Sequence, residues 1–191
     1  MKIKIVLLGD MGVGKTSFIT KYITGQFKLD NSSTLGASFF THKMKINEEE
    51  HLLEIWDTAG QERYRSLAPM YFRGADVAFI FFDLSKLYSY FSVEYWKKEL
   101  LSYGPPNIIQ IVVGNKLDLI NIDKLESKYK NHFLISTKEN IDLDRLVKTG
   151  IIEAIKLKKK RLEQKKIEED RIKESLYLKN NSGLKKYSCC R

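Results

Sequence analysis

The chain has 191 residues, 43% of them hydrophobic, which is enough to bury a domain core and excludes general disorder. Its 33 Lys and Arg against 24 Asp and Glu give a formal charge of +9. Residues 156–191 carry 13 of these basic and 5 of these acidic residues, so the remainder is nearly neutral and lacks the basic face of a nucleic-acid-binding domain. Two adjacent cysteines exclude a disulfide framework and a four-ligand zinc site. No apolar run suits a signal peptide or a membrane span, so we expect a cytosolic protein.

Buried strands alternate with helices along residues 1–155. Strands are predicted from β-rich apolar runs at Lys2–Leu8, 39–46, 51–56, Val77–Asp83, 108–113 and 133–136. Helices are predicted at 17–24, at 90–103 and from 141 to about 178, with a mobile loop at 25–36. This order predicts an α/β fold with a six-stranded, mostly parallel sheet, helices on both faces, and a charged C-terminal helix and tail. Ligands of such sheets bind beyond the carboxyl ends of the strands.

The loop after the first strand carries a phosphate-binding pattern. Residues 9–16 read Gly-Asp-Met-Gly-Val-Gly-Lys-Thr and match G-x-x-x-x-G-K-[ST] between a predicted strand and a predicted helix. Lys15 would place its charge on the terminal phosphates, and Thr16 would give its hydroxyl to Mg²⁺. The backbone N–H groups that would face the phosphates belong to Gly12, Val13 and Gly14. The alternative is a simple glycine turn.

The loop after the third predicted strand supplies an acid and an amide. Asp57 ends the strand, where a carboxylate can hold the water shell of a magnesium ion. Gly60 can bring a bare backbone N–H to the γ-phosphate. Gln61 can orient a water for in-line attack, because its amide both donates and accepts hydrogen bonds. Asp-x-x-Gly alone is a weak signal, and it gains specificity from its place about 40 residues after the phosphate loop.

The loop after the strand at 108–113 predicts the base. Asn115, Lys116 and Asp118 follow that strand directly. The Asp118 carboxylate can accept hydrogen bonds from N1–H and the 2-amino group of guanine, a pair that adenine lacks, so it would select GTP over ATP. Lys116 can lie over the base while its charge reaches back to the phosphate loop. A backbone N–H for the guanine O6 could come from the next loop, which reads Ser136, Thr137, Lys138.

These motifs resemble those of the small GTPases, and specifically the Rab family, over about residues 1–155. The most specific stretch is residues 56–75, which reads Trp-Asp-Thr-Ala-Gly-Gln-Glu-Arg-Tyr-Arg-Ser-Leu-Ala-Pro-Met-Tyr-Phe-Arg-Gly-Ala. It is similar to the second switch of the early-endosomal branch, as are residues 25–27, 34–39 and 104–108. The resemblance implies the P-loop GTPase fold and a slow Mg·GTP/GDP switch that recruits effectors to the cytoplasmic face of endosomal or vesicle membranes.

Further residues and partners are implied by this resemblance alone. Thr34 would reach the magnesium through its hydroxyl when the γ-phosphate is present, Phe27 would pack edge-on to the guanine, and Ser17 would contact the nucleotide. The effector surface would consist of Phe39, Trp56 and Tyr71; the alternative is ordinary core packing of aromatic residues. The implied partners are an exchange factor, an activating protein that supplies an arginine, a GDP-dissociation inhibitor or escort protein, and effectors.

The chain departs from the family pattern in the site. Met11 stands where the family usually has a small residue beside the γ-phosphate, so we expect slower hydrolysis. Only 17 residues separate Asp118 from Ser136, so the helix expected there must be short or absent. Thr137 replaces the usual alanine, and we expect its bulk to matter more than its chemistry.

Residues 156–191 form a predicted basic helical tail with a net charge of +8. The chain ends Ser-Cys-Cys-Arg, which does not fit C-a-a-X but resembles the double-cysteine ends of Rab proteins. Geranylgeranyl groups on Cys189 and Cys190 are thereby implied; the alternative is two unmodified thiols. Two lipid chains and the basic segment together would give stable membrane anchoring.

Three functions follow from these features. The first is a GTP-hydrolysing membrane-recruitment switch. The second is a binding module that loads GTP and barely hydrolyses it because of Met11. The third is a nucleic-acid-binding protein that uses the tail, against which the absence of an aromatic-studded basic patch argues.

Overall fold

The structure is a computed structural model that describes residues 1–28, 34–121, 129 and 131–182, with the side chains of 178–182 excepted. Its centre is a six-stranded sheet with the strand order β2-β3-β1-β4-β5-β6. The strands are β1 (Lys2–Leu8), β2 (Ala37–Ile46), β3 (Glu49–Thr58), β4 (Val77–Asp83), β5 (Ile109–Asn115) and β6 (Phe133–Leu134). Every neighbouring pair is parallel except β2 and β3, which form an antiparallel hairpin. The predicted six-stranded, mostly parallel α/β fold is confirmed.

Four α-helices occur in the described part of the chain: α1 (Lys15–Thr24), α2 (Ala68–Phe72), α3 (Leu87–Tyr103) and α4 (Leu143–Ser182). Helix α1 begins two residues earlier than predicted, because Gly14 caps it in the left-handed conformation with φ 98°. No periodic pattern in the sequence predicts α2 or the 3₁₀ turn at Glu62–Leu67 that precedes it. Segments of five or six residues are stabilised by packing rather than by their own propensity.

The centre of the sheet is buried on both faces. All seven residues of β4 are buried, as expected for a central parallel strand. One face carries a core cluster that includes Val6, Ile80 and Phe82 of the sheet together with Phe72 of α2 and Trp96 of α3. This packing holds α2 and α3 against the sheet, and α3 reaches the loop after β1 through the contact of Ser92 with Asp10.

The chain divides into two compact units, Met1–Ala154 and Ile155–Arg191. The helical part of the second unit belongs to α4, and its described side chains from 158 to 177 are almost all exposed and largely charged. Within the described residues, no helix combines the length and apolarity needed to cross a membrane. Cys189 and Cys190 lie outside the described residues, as do 29–33 of the predicted mobile loop and 122–128 of the shortened segment before β6.

Candidate functional site

The motif loops meet around one cavity of about 580 Å³ at the carboxyl ends of the parallel strands. The predicted residues that line it are Gly12, Gly14, Lys15, Thr16, Ser17, Phe27, Thr34, Gly60, Asn115, Lys116, Asp118, Thr137 and Lys138. Of the other predicted nucleotide and metal residues, Val13, Asp57 and Ser136 are buried and hydrogen-bonded to lining residues. Segments from six separate places in the chain therefore form a single recess of a size suited to a nucleotide.

The phosphate loop holds a buried cation. The Nζ atom of Lys15 donates hydrogen bonds to the carbonyl oxygens of Gly9 at 2.7 Å and Asp10 at 2.9 Å. The side chain is buried, and burial lowers its pKa to about 8 despite the nearby carboxylates of Asp57 and Asp10. A phosphate in the cavity would supply the counter-charge that the ammonium lacks. Gly12 leaves open space where a side chain would project, which suits close approach of a phosphate.

Three side-chain oxygens converge next to that lysine. The hydroxyl of Thr16 donates to Asp57 Oδ2 at 2.6 Å and lies 2.9 Å from the hydroxyl of Thr34. The second carboxylate oxygen of Asp57 is buried without a hydrogen-bond partner, and burial raises the pKa of this acid above its ordinary value. Hydroxyl and carboxylate oxygens are the donors that Mg²⁺ prefers, and an unpartnered buried oxygen is what a metal-bound water would satisfy. The predicted donor set thus fits a magnesium ion.

The segment after β3 lies directly against the phosphate loop. A Cβ atom on Gly60 would come within 2.5 Å of the backbone of Asp10 and Met11, so only glycine allows this approach. Gln61 lies in the next position, and its Oε1 accepts a hydrogen bond from Nε of Arg63 at 2.6 Å. The amide oxygen of Gln61 is therefore engaged outside the cavity in this structure. Met11 is 57% exposed and lines the cavity.

A second contact between these segments was not predicted from the sequence. The guanidinium of Arg65 donates to Asp10 Oδ1 at 3.0 Å, and the hydroxyl of Ser92 on α3 donates to Asp10 Oδ2 at 2.5 Å. Arg65 also lies over the rings of Tyr95 and Trp96, with its Cζ atom 4.9 and 5.9 Å from their centroids. The phosphate loop, the 3₁₀ turn and α3 are tied together at this carboxylate. No motif marks Asp10 or Ser92.

The predicted base-binding residues hold one another in place. The Oγ atom of Ser136 donates to Asp118 Oδ1 at 2.6 Å, and the side-chain amide of Asn115 donates to the carbonyl oxygen of Val13 at 3.0 Å. Lys116 has φ 66° and pairs with the buried Asp83 at 2.7 Å. Burial alone would raise the pKa of Asp83, but hydrogen bonds from Lys116 and Ser85 outweigh it and lower that pKa below its usual value.

The three predicted effector-surface aromatics are neighbours. The ring centroids of Phe39 and Trp56 lie 5.1 Å apart, and those of Trp56 and Tyr71 lie 5.8 Å apart. Phe39 is 51% exposed, while Trp56 and Tyr71 are half-buried against the core. The cluster is accessible at one end and anchored at the other.

Comparison with known proteins agrees with this architecture. The Ras family profile matches residues 4–164, which is most of the chain. The chain belongs to the Ras family. Its similar proteins within this family carry Rab names, which confirms the predicted resemblance to the Rab branch.

Three relatives of this Ras-family chain each align with a similar share of its length. Ras-related protein Rab-22A of Homo sapiens is 46% identical over 121 residues, 63% of this chain and 62% of the relative. Ras-related protein Rab5A of Oryza sativa subsp. japonica is 47% identical over 117 residues, 61% of this chain and 58% of the relative. Ras-related protein Rab-31 of Homo sapiens is 45% identical over 127 residues, 66% of this chain and 65% of the relative. The matched part thus spans about three fifths of the length of these relatives.

Proposed function

We propose that this protein is a Rab-type, Mg²⁺-dependent switch that binds GTP and GDP and hydrolyses GTP slowly. The observation that carries the proposal is that the buried Lys15 and the hydroxyls of Thr16 and Thr34 line one cavity, with the buried Asp57 carboxylate hydrogen-bonded to Thr16. Mixed hydroxyl and carboxylate oxygens beside a buried ammonium suit a metal-bound polyphosphate better than any uncharged ligand. The Ras-family membership and the Rab names of the relatives support the same proposal.

In the proposed mechanism each motif has one task. Bound Mg²⁺ would neutralise charge that develops on the phosphates during hydrolysis. Lys15 and the amides of 12–14 would bind the phosphate oxygens, while Thr16, Thr34 and Asp57 would hold the metal and its waters. Gln61 orients the attacking water, for which its amide oxygen must leave Arg63. An arginine from an activating protein is expected to add a factor of about 10³–10⁵.

The base side of the cavity sets the nucleotide. The Asp118 carboxylate, held by Ser136, accepts hydrogen bonds from guanine, and Lys116, Phe27 and Lys138 enclose the base. Adenine lacks the N1–H and 2-amino donors that guanine offers to this carboxylate, so the protein should discriminate strongly against ATP.

Partners and location complete the proposal. Effectors would read the cluster of Phe39, Trp56 and Tyr71, and an exchange factor and a GDP-dissociation inhibitor or escort protein would act on the same domain, 1–155. The basic tail, 156–191, with prenyl groups on Cys189 and Cys190, would attach the protein to the cytoplasmic face of endosomal or vesicle membranes. Mass spectrometry of the protein from its own cell would show two prenyl adducts; unmodified thiols would refute the anchoring.

The decisive experiment is to extract the nucleotide from the purified protein and to follow single-turnover hydrolysis of GTP and ATP. We expect bound guanine nucleotide, no measurable ATP binding, and slow hydrolysis that the substitution Gln61→Leu reduces further. Co-purification with adenine nucleotide would refute the switch. Firm GTP binding with no turnover, even with an activating protein, would favour the binding module instead.

A further inference from the structure

The hydroxyl of Thr137 makes a hydrogen bond that the sequence does not predict. Thr137 is only 3% exposed, and its Oγ1 donates to Asn115 Oδ1 at 2.9 Å. Its backbone N–H donates to the same oxygen at 3.1 Å. Both acceptor sites of the Asn115 amide oxygen are therefore filled by one residue.

The other end of the Asn115 amide reaches the phosphate loop. Its Nδ2 atom donates to the carbonyl oxygen of Val13 at 3.0 Å. The same nitrogen lies 2.4 Å from the place where a Cβ atom on Gly14 would be, so the amide is packed tightly against the loop. We call residues 136–138 the base loop. An unbroken run of buried hydrogen bonds thus connects Thr137 in the base loop, through Asn115, to Val13 in the phosphate loop.

We propose that Thr137 is a positioning residue whose hydroxyl, acting through Asn115, locks the base loop to the phosphate loop and slows release of the guanine nucleotide. The inference rests on the proposed function, because it concerns the same cavity. A nucleotide that is bound to both loops can leave only when the loops separate. Each buried hydrogen bond between the loops opposes that separation. The backbone N–H of Thr137 supplies one bond in any variant, so the hydroxyl supplies the increment.

The test compares three substitutions in the full chain loaded with a fluorescent GDP analogue and Mg²⁺. Thr137→Val keeps the shape and removes the hydroxyl, Thr137→Ala removes hydroxyl and methyl, and Thr137→Ser restores the hydroxyl without the methyl. We expect the Val and Ala variants to release the analogue about three- to tenfold faster than the natural protein, the net effect of one lost hydrogen bond. The Ser variant should recover most of the slow rate.

A double-mutant cycle separates positioning from general loosening. The cycle repeats the Thr137→Val substitution in a protein that already carries Asn115→Ala, and the release rates are measured with excess nucleotide. In this background Thr137→Val should change the release rate by less than about twofold, because the Asn115 oxygen that accepts the hydroxyl's hydrogen bond is already absent. Equal release from the natural protein and the Val variant would overturn the inference, as would a Ser variant as fast as the Val variant, which would point to the methyl group. If the natural protein itself retains no guanine nucleotide, the proposed function fails, and this inference fails with it.

Discussion

Replacement of Arg65 by alanine tests whether the structure ties the 3₁₀ turn to the phosphate loop. The change removes a hydrogen-bonded ion pair with Asp10, whose side chain is 15% exposed, and the stacking of the guanidinium on Tyr95 and Trp96. The hydrogen bond from the hydroxyl of Ser92 to the Asp10 side chain remains. We expect the variant to have a lower free energy of unfolding, and its 3₁₀ turn to be attached less firmly to the phosphate loop.

The size of the effect follows from these contacts. A hydrogen bond to a charged group contributes about 1.5–3 kcal/mol, and a cation over an aromatic ring about 0.5–1 kcal/mol. Because Arg65 is 34% exposed, solvent screens part of the ion pair, and we take the lower end of both ranges. The expected loss is about 2 kcal/mol, or about 4–8 °C in the melting temperature for a domain of this size.

The assay is thermal and urea unfolding of the GDP-loaded protein at fixed nucleotide and Mg²⁺ concentrations. Arg63→Ala is the matched control, because Arg63 is an exposed arginine of the same turn whose contacts are with Gln61 and the ring of Tyr64. The control should lie within about 0.5 kcal/mol of the natural protein. If Arg65→Ala is no less stable than Arg63→Ala, the contact with Asp10 contributes nothing and the reasoning is wrong.

Three further results are expected. Burial lowers the pKa of Lys15 to about 8, whereas phosphates favour its charged form, so nucleotide binding above that pH should take up a proton and weaken as the pH rises. Calorimetry in buffers of different ionisation enthalpy measures this proton uptake, and no uptake at pH 9 would contradict the prediction. Mg²⁺ should slow nucleotide release from the Asp57→Asn variant only at a concentration about tenfold or more above that needed by the natural protein. If both proteins need the same Mg²⁺ concentration, Asp57 does not belong to the metal site. Met11→Ser should speed single-turnover hydrolysis by about three- to tenfold by clearing space beside Gly60, and equal rates would discard the crowding argument.

The parts of the fold and site that could be predicted are those encoded locally. The strands β1 and β4 match their predicted bounds, because each signal lies within seven positions. In β1 it is alternation followed by an apolar run, and in β4 it is an apolar run that ends at Asp83. Parallel strands bring their carboxyl ends to one edge of a sheet, so the sequence predicts that the loops after them lie together, and these loops line one cavity in the structure. Local pattern and sheet geometry together were sufficient to bring Lys15, Asp57 and Asn115 to one cavity.

The parts that could not be predicted depend on pairs that are distant in sequence. Asp10 meets Arg65 across 55 positions and Ser92 across 82, and neither spacing has a periodicity or a motif. Thr137 meets Asn115 across 22 positions, through a side-chain rotamer that sequence does not specify. Such contacts are fixed by the packing of α3 and of the base loop against the sheet, which exists only once the core has formed.

Two kinds of restraint act on the segments around the cavity. The hydroxyl of Thr34 meets Thr16 at the proposed metal position, so a bound Mg²⁺ would add to its restraint in the proposed switch. Arg65 is held by a carboxylate and two rings, without any contribution from the proposed metal position. Loss of the third phosphate would therefore weaken the restraint on Thr34 and leave the attachment of the turn at Arg65 unchanged. Movement after β3 would then be concentrated between Gly60 and Arg65, the stretch that carries Gln61.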